Sequence, residues 1–375
     1  MVEFVWQYKD WHSRLHWDSA RLAKPLAEAR RQQGRLQGKA AGVGFDAPAQ
    51  MLAAVVDEAV STTAIEGEPL DRASVRSSVA QHLGLVGAGL PAAQRGVDGL
   101  VALLLDATVR SREPLTAERL KGWHAGLFPT GFSGIRHITV GEWRQGPEPM
   151  RVVSGTLGDT PRIHFEAVPP ETVEEEMLAF LEWFDEEDTA VDAMLRAGVA
   201  HFRLLTIHPF DDGNGRITRA VTDLALAQDE GTATRLWSFS AQILQERDTY
   251  YAVLEQTQRG DGDLTAWLEW FLGTVARALA RAEAQVDIVL AKARFWDAHR
   301  ERPLNARQRK ALNRMLAAGP DGFVGGMTTR KYAALVRTSR ATAQRDLAQL
   351  VRWGLLTPRG GGGRSTSYDI VVATA

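Results

Sequence analysis

His208-Pro209-Phe210-Asp211-Asp212-Gly213-Asn214-Gly215-Arg216-Ile217-Thr218-Arg219 is the stretch from which the rest of this 375-residue sequence can be read. Pro209 disfavours α conformation at His208, so a preceding helix should stop there and turn the imidazole toward the following loop. Gly213 and Gly215 permit positive φ and let a ligand approach the backbone closely. Successive amides around Asn214, leading into a new helix, form a concave anion nest. Arg216 and Arg219 lie three apart, on one face of that helix. A carboxylate, two guanidinium groups, an amide nest and a histidine thus converge within twelve residues. Phosphoryl chemistry asks for this set: charge neutralisation, a place for Mg²⁺ and a proton acceptor. Taken singly, each residue reads as a turn, a cap or a surface charge; their joint order and spacing carry the chemistry. No Gly-Lys-Ser/Thr follows, so the stretch is not a Walker A loop.

Outward from this point the pattern is helical. Leu52, Val55, Val56, Ala59 and Val60 mark one face of a helix over Met51–Ile65 that Gly67 and Pro69 end. Similar spacings predict helices over about Val97–Arg110, Thr116–Gly126, Val173–Phe184, Val191–Ile207, Ile217–Gln228 and Leu264–Trp296. From about Gly131 to Pro170 short β-like runs, Arg151-Val152-Val153 and Arg162-Ile163-His164-Phe165, predict a small hairpin in a loop-rich interruption. Beyond Arg302-Pro303, Asn305 with Gln308 has the form of a capping box, and Gly319-Pro320 ends the helix it opens. Helices over Thr328–Val336 and Ser339–Trp353 follow. Leu355–Thr357, the glycines Gly360–Gly363 and Tyr368–Val372 then read as a hairpin. Three helices before a hairpin make a winged helix-turn-helix with Ser339–Trp353 as recognition helix.

The sequence is 45% hydrophobic and 24% charged, as in a soluble globular protein, and it contains no cysteine. Disulfide frameworks, thiolate metal sites and cysteine nucleophiles are therefore excluded. The N-terminus does not read as a signal peptide, and no run approaches a spanning helix, so a cytoplasmic location away from membranes is expected. Residues 301–375 hold 13 Lys and Arg against 4 Asp and Glu, while the rest holds 31 against 42. That asymmetry reads either as a polyanion-binding module or as a solvated helical surface. Arg340, Gln344 and Arg345 sit where a recognition helix meets bases or phosphates, with Arg359 and Arg364 flanking the glycine tip; protein docking is the other use of such a module.

The twelve residues resemble the Fic family signature, His-Pro-Phe-x-Asp/Glu-Gly-Asn-Gly-Arg-x-x-Arg, without a departure. The resemblance implies a protein adenylyltransferase that moves AMP from ATP to a Ser, Thr or Tyr hydroxyl of a target protein, with Mg²⁺ and release of pyrophosphate. It implies His208 as general base, Asp212 as metal ligand, and Gly213, Asn214 and Gly215 as the nest, with Arg216 and Arg219 on the distal phosphates. Thr62-Thr63-Ala64-Ile65-Glu66-Gly67 is similar to the Fic inhibitory motif, which implies that Glu66 pairs with Arg219 and displaces the γ-phosphate. Ile163, His164 and Phe165 resemble the flap that aligns a target by strand addition. Tyr251 and Gln258 resemble the adenine-side residues, and Trp6, Trp11 and Trp17 the helical leader before many Fic domains. The implied fold is mainly α: an N-terminal helical region over 1–95 with the inhibitory helix at about 51–67, a Fic core with its flap over 96–300, and a winged helix over 301–375. Self-modification and a homodimer accord with the resemblance. Removal of AMP, or a nucleotide-sensing DNA-binding regulator, stands as the alternative.

Overall fold

In a computed structural model the described residues are 3–41, 47–85, 95–147, 149–154, 162–186, 190–232, 235–318, 323–359 and 366–371. The chain forms two compact units, Met1–Gln33 with Asp46–Leu279 and Gly34–Phe45 with Ala280–Ala375. No helix among the described residues is long and apolar enough to cross a membrane.

The larger unit is mainly helical. Its helices are α1 (Trp11–Arg14), α2 (Ser19–Ala40, the unit boundary falling within it), α3 (Ala47–Ile65), α4 (Arg72–His82), α5 (Arg95–Val109) and α6 (Ala117–Leu127). Two small antiparallel hairpins follow, β1 (Phe132–Ser133) with β2 (Arg136–His137) and β3 (Arg151–Ser154) with β4 (Arg162–Glu166). Then come α7 (Val173–Asp185), α8 (Ala193–Ile207), α9 (Asn214–Glu230), α10 (Phe239–Gln245), α11 (Arg247–Gln258) and α12 (Thr265–Ala298), which also crosses the unit boundary. Helices α8 and α9 form the centre. Every residue from Ala197 to Ile207 and from Arg216 to Ala227 is buried, which marks helices enclosed on all sides by protein. The quoted loop is therefore strung between two rigid, buried rods.

Helix α3 packs on α4, α5, α9 and α10. Its single buried carboxylate, Glu58, meets the start of α10: it accepts from Ser238 Oγ (2.7 Å), from the Ser240 amide (3.0 Å) and from Ser240 Oγ. A carboxylate on the uncompensated amides of a helix N-terminus is well placed electrostatically. At the other end of the unit, the flap hairpin rests on the N-terminal segment. Phe165 of β4 meets Phe4 edge-to-face at 5.3 Å, and Trp6 Nε1 donates to the Glu166 carbonyl at 2.6 Å.

The smaller unit holds α13 (Ala306–Leu316), β5 (Met327–Thr328), α14 (Thr329–Val336), α15 (Arg340–Arg352), β6 (Leu356–Pro358) and β7 (Ser367–Ile370). The Asn305–Gln308 capping box forms as the spacing requires. Three helices surround an apolar core that includes Leu312, Leu347, Leu350 and Leu355. The strands make a three-stranded antiparallel sheet in the order β5-β7-β6, one strand more than the hairpin expected from sequence. Two-residue β5 is too short to show an alternating pattern. The expected helix end at Gly319-Pro320 and the glycine tip Gly360–Gly363 lie outside the described residues. Helices α1, α2, α4, α10 and α11 were not among the segments read from periodicity, and α9 starts at Asn214, three residues before the first apolar position that announced it.

Replacing Glu58 with alanine strands three donors at the α3–α10 junction. A loss of about 3 kcal/mol is expected, read as a fall in the midpoint of chemical denaturation at unchanged slope; Ser238→Ala should cost about 1 kcal/mol.

Candidate active site

Pro209 acts as its position requires. Helix α8 stops at Ile207, and His208 caps it in the left-handed region (φ 55°, ψ 60°), its amide still bonded to the Leu204 carbonyl at 3.0 Å. A non-glycine residue in this conformation costs about 1–2 kcal/mol and needs support. Arg144 supplies it. Its Nε donates to the His208 carbonyl at 2.7 Å, Nη2 donates to the carbonyls of Val168 and Ile207, and its own amide donates to the Pro209 carbonyl at 2.8 Å. Burial of this guanidinium lowers its pKa to about 10, since carbonyls rather than carboxylates surround it.

The His208 ring is thereby fixed. Nδ1 lies 3.2 Å from the Leu205 carbonyl; a carbonyl only accepts, so Nδ1 carries the hydrogen and Nε2 keeps its lone pair. Enclosure of the ring pulls its pKa down to about 4, against the opposing influence of the Leu205 carbonyl. His208 is a neutral base at any ordinary pH.

After His208 the loop closes on itself through Asn214, whose Oδ1 accepts from the Phe210 amide (2.9 Å) and whose Nδ2 donates to the Phe210 carbonyl (2.7 Å). Both polar atoms of this side chain are committed to loop shape, so only the Asn214 amide is left for a ligand. Gly213 takes φ 76° immediately before α9 and offers no side-chain cap. The first-turn amides of α9 thus end a buried helix without a side-chain acceptor, as an anion site requires.

Arg219 stands one turn further along α9 and is 1% exposed. Its guanidinium bonds to the end of α3 and the residue just beyond it: Nε to Thr62 Oγ1 (2.7 Å), Nη2 to the Thr62 carbonyl (2.9 Å) and Nη2 to Glu66 Oε1 (2.7 Å). The same Glu66 oxygen lies against the glycine of the nest, where a Cβ built on Gly215 would stand 2.1 Å from it. Arg216 behaves differently. It packs over Phe128 at 5.1 Å and sits 3.3 Å from Glu68 and 3.6 Å from Asp212.

A cavity of about 450 Å³ gathers most of the residues singled out from sequence: Glu66, His208, Asp212, Gly213, Asn214, Gly215, Arg219, Tyr251 and Gln258 all line it. Arg216 and Ile163 do not. Tyr251 lies 3.5 Å from the Ile65 carbonyl through its hydroxyl, and the Gln258 amide nitrogen donates to Thr206 Oγ1 at 3.3 Å. The flap residues divide. Phe165 is buried against Phe4 and lines the cavity; the register shifts beside Val152 and Val153, so Phe165 and Ile163, two residues apart, do not share one environment. His164 pairs with Glu255 of α11 at 2.7 Å, and Ile163 alone remains substantially exposed.

Arg144 and His124 escaped the sequence reading. His124 stacks on Phe210 at 4.3 Å and accepts from the Gly141 amide at 3.0 Å; burial lowers its pKa to about 4. Neither belongs to a local pattern, because each reaches the loop across more than 60 residues of chain.

Asp212 is a partly exposed carboxylate that accepts from Ser133 Oγ and from the Gly213 amide (2.5 Å). No cluster of three or more metal-binding side chains exists among the described residues. A single hard oxygen ligand beside an anion nest fits Mg²⁺ arriving with phosphate oxygens and water, the usual company of that ion. Asp212 would hold it, and the cation would neutralise phosphate charge.

Residues 114–226 match the Fic/DOC family, and residues 4–85 match a domain of unknown function, DUF4172. The chain contains a Fic/DOC family domain. The chain is 36% identical over 100 residues to protein adenylyltransferase fic-1 of Caenorhabditis briggsae, a match covering 26% of this chain and 18% of the relative. It is 40% identical over 81 residues to a uridine 5'-monophosphate transferase of Xanthomonas campestris pv. campestris (strain 8004), covering 18% of this chain and 15% of that one. The chain thus spans less than a fifth of the length of either relative. In fold it is similar to a Fic family protein from Desulfovibrio desulfuricans G20 (TM-score 0.51, 16% identity, 94% of this chain and 97% of that one). It is also similar to a Fic domain containing signaling protein from Bacteroides thetaiotaomicron VPI-5482 (TM-score 0.52, 15% identity, 69% of this chain and 97% of that one).

The part-buried ring of His208 sets a spectroscopic expectation. With ¹³C-labelled histidine, the resonance lost in His208→Gln should titrate with a midpoint near 4. A midpoint near the ordinary ~6.5 would show an open, solvated ring.

Proposed function

We propose that the Fic domain transfers AMP from ATP to a Ser, Thr or Tyr hydroxyl of a target protein, and that Glu66 holds it in check. The target oxygen attacks the α-phosphorus, the bond from that phosphorus to the α–β bridging oxygen breaks, pyrophosphate leaves and the hydroxyl proton passes to His208 Nε2. The nest amides of Gly213, Asn214 and Gly215 hold phosphate oxygens, Arg219 the γ-phosphate, and Tyr251 and Gln258 flank the base. The exposed Ile163 and Val152 of the flap meet the target segment.

One observation carries this reading: the Glu66 carboxylate lies where a terminal phosphate belongs, 2.7 Å from Arg219 Nη2 and against Gly215, within the cavity that also holds His208. An anion already seated on the nest argues both for what the nest binds and for what keeps it out. Relief of inhibition then requires only that Glu66 yield the guanidinium. The likeness to a uridine 5'-monophosphate transferase favours a second reading in which UMP is the group moved by the same residues.

Incubation of Glu66→Gly protein with ATP or with UTP, with Mg²⁺ present, and intact-mass analysis of the protein and of anything purified with it separates these readings. The mass gained identifies AMP or UMP. Labelling should rise at least about tenfold over wild type, consistent with removal of a competing charge, and fall about 10²–10⁴-fold when His208→Ala is added. No mass gain with any nucleotide would overturn nucleotidyl transfer, and equal labelling by wild type and Glu66→Gly would overturn the inhibition alone.

Arg144→Lys keeps the charge and loses the planar fork. It should lower kcat about tenfold or more while leaving the KM for nucleotide within about twofold, because Arg144 holds the base and touches no phosphate site.

A further inference from the structure

In the smaller unit, α15 is not an ordinary solvated helix. One face, with Ala343, Leu347 and Leu350, is buried; the other exposes Arg340, Ala341, Gln344, Arg345, Ala348 and Arg352. Arg340, Gln344, Ala348 and Arg352 recur every fourth residue, a continuous stripe along the helix. Its one acidic residue, Asp346, is turned inward and neutralised, accepting from Arg307 (2.9 Å), Tyr332 Oη (3.0 Å) and Asn305 (3.3 Å). The outer face therefore carries guanidinium and carboxamide groups with no carboxylate among them. Among the described residues, Arg337, Arg340 and Arg352 make no ion pair, and Arg345 reaches only Thr342 Oγ1 at 3.4 Å.

Topology places this face where it can be used. Helix α14 ends at Val336, three residues turn the chain with Arg337 at φ 52°, and Ser339 caps α15 by accepting from the Thr342 amide. The order helix, strand, helix, helix, strand, strand, with a three-stranded sheet β5-β7-β6, puts the second helix of a tight helix-turn-helix outermost.

We propose that this unit is a winged helix that binds duplex DNA, with α15 in the major groove. Alanine at 341 and 348 leaves the helix slim enough to enter the groove; Arg340, Gln344 and Arg345 are the residue types that read base edges or hold phosphates there. An acidic protein surface would be met equally well by flexible lysines, whereas this stripe uses rigid forks and an amide. Arg359, expected from sequence to contact DNA from the wing, is instead paired with Asp369 at 2.6 Å and is left out of the surface; Arg364 lies outside the described residues.

The test uses the full chain and a fluorescein-labelled random-sequence duplex of ~30 bp, followed by anisotropy from 50 to 200 mM salt. Wild type should bind, with affinity falling steeply with salt. Arg340→Ala/Arg345→Ala, whose circular dichroism should match wild type because both side chains are exposed, should bind at least about tenfold more weakly and with a salt slope shallower by about 1–2. Three results would overturn the proposal: no duplex binding at 50 mM salt, a double variant that binds like wild type, or a polyglutamate probe of equal charge bound as tightly as the duplex. The last would assign the face to acidic proteins.

Discussion

A guanidinium group almost without access to water needs an anion beside it, and Arg219 is such a group. Burial alone would depress its pKa, yet the neighbouring Glu66 carboxylate raises it above the ordinary value. Glu66 reaches solvent, so its loss would cost less than breaking a fully buried pair, but it would leave the enclosed guanidinium without its carboxylate. Arg219 therefore always favours an occupant for the position next to Gly215. In the proposed reaction two anions compete for it, a carboxylate of this chain and a terminal phosphate, and the energy of the exchange is set by the difference between them rather than by either alone. Nucleotide binding and relief of inhibition become one event described twice.

This exchange has to be local. Helix α3 is not a lid resting on the surface: Ser61, Thr62 and Thr63 are buried near its end, and Glu58 anchors it to the start of α10. Even the Thr62 bonds to Arg219 belong to the helix frame, since one of them uses the Thr62 carbonyl. The turn beyond Ile65 lies at the surface, with Glu68 meeting Arg216 at 3.3 Å, and Glu66 is its first residue, preceding Gly67 at φ 85°. A side-chain rotation of Glu66, with the helix in place, vacates the guanidinium at the smallest loss of buried surface. Undocking α3 would instead expose Val55, Val56 and Ala59 along with an unpaired carboxylate.

What sequence made legible is what proximity in sequence encodes. Pro209 after a helical run predicts the break at His208, and glycines around Asn214 predict a backbone-rich turn; both are local, steric and visible in a single chain. The pairing of Glu66 with Arg219 spans 153 residues and entered only through resemblance, as did the gathering of Tyr251 and Gln258 into the cavity. Arg144 was invisible because its work is done on main-chain carbonyls, which every residue possesses and which leave no partner type to search for. Phe165 shows the converse: a register shift breaks the alternation of β4, and the burial of its ring comes from Phe4, far away at the start of the chain. In the smaller unit, the capping box at Asn305 was legible for the same local reason as Pro209, whereas β5 exists only because β7 lies beside it.

The character of the base follows from what holds it. Enclosure outweighs the other influences on the His208 ring: Nδ1 faces a carbonyl, the Arg144 guanidinium disfavours an imidazolium, and the Glu66 and Asp212 carboxylates favour it without offsetting burial. A base with a pKa near 4 is too weak to ionise an alcohol before reaction. It can accept the proton only as the new P–O bond forms and the hydroxyl becomes acidic. In the proposed transfer, a weak base in the right place then suffices where a strong one displaced by an ångström does not. In that proposal the left-handed backbone of His208 and the buried fork of Arg144 fix where the lone pair points.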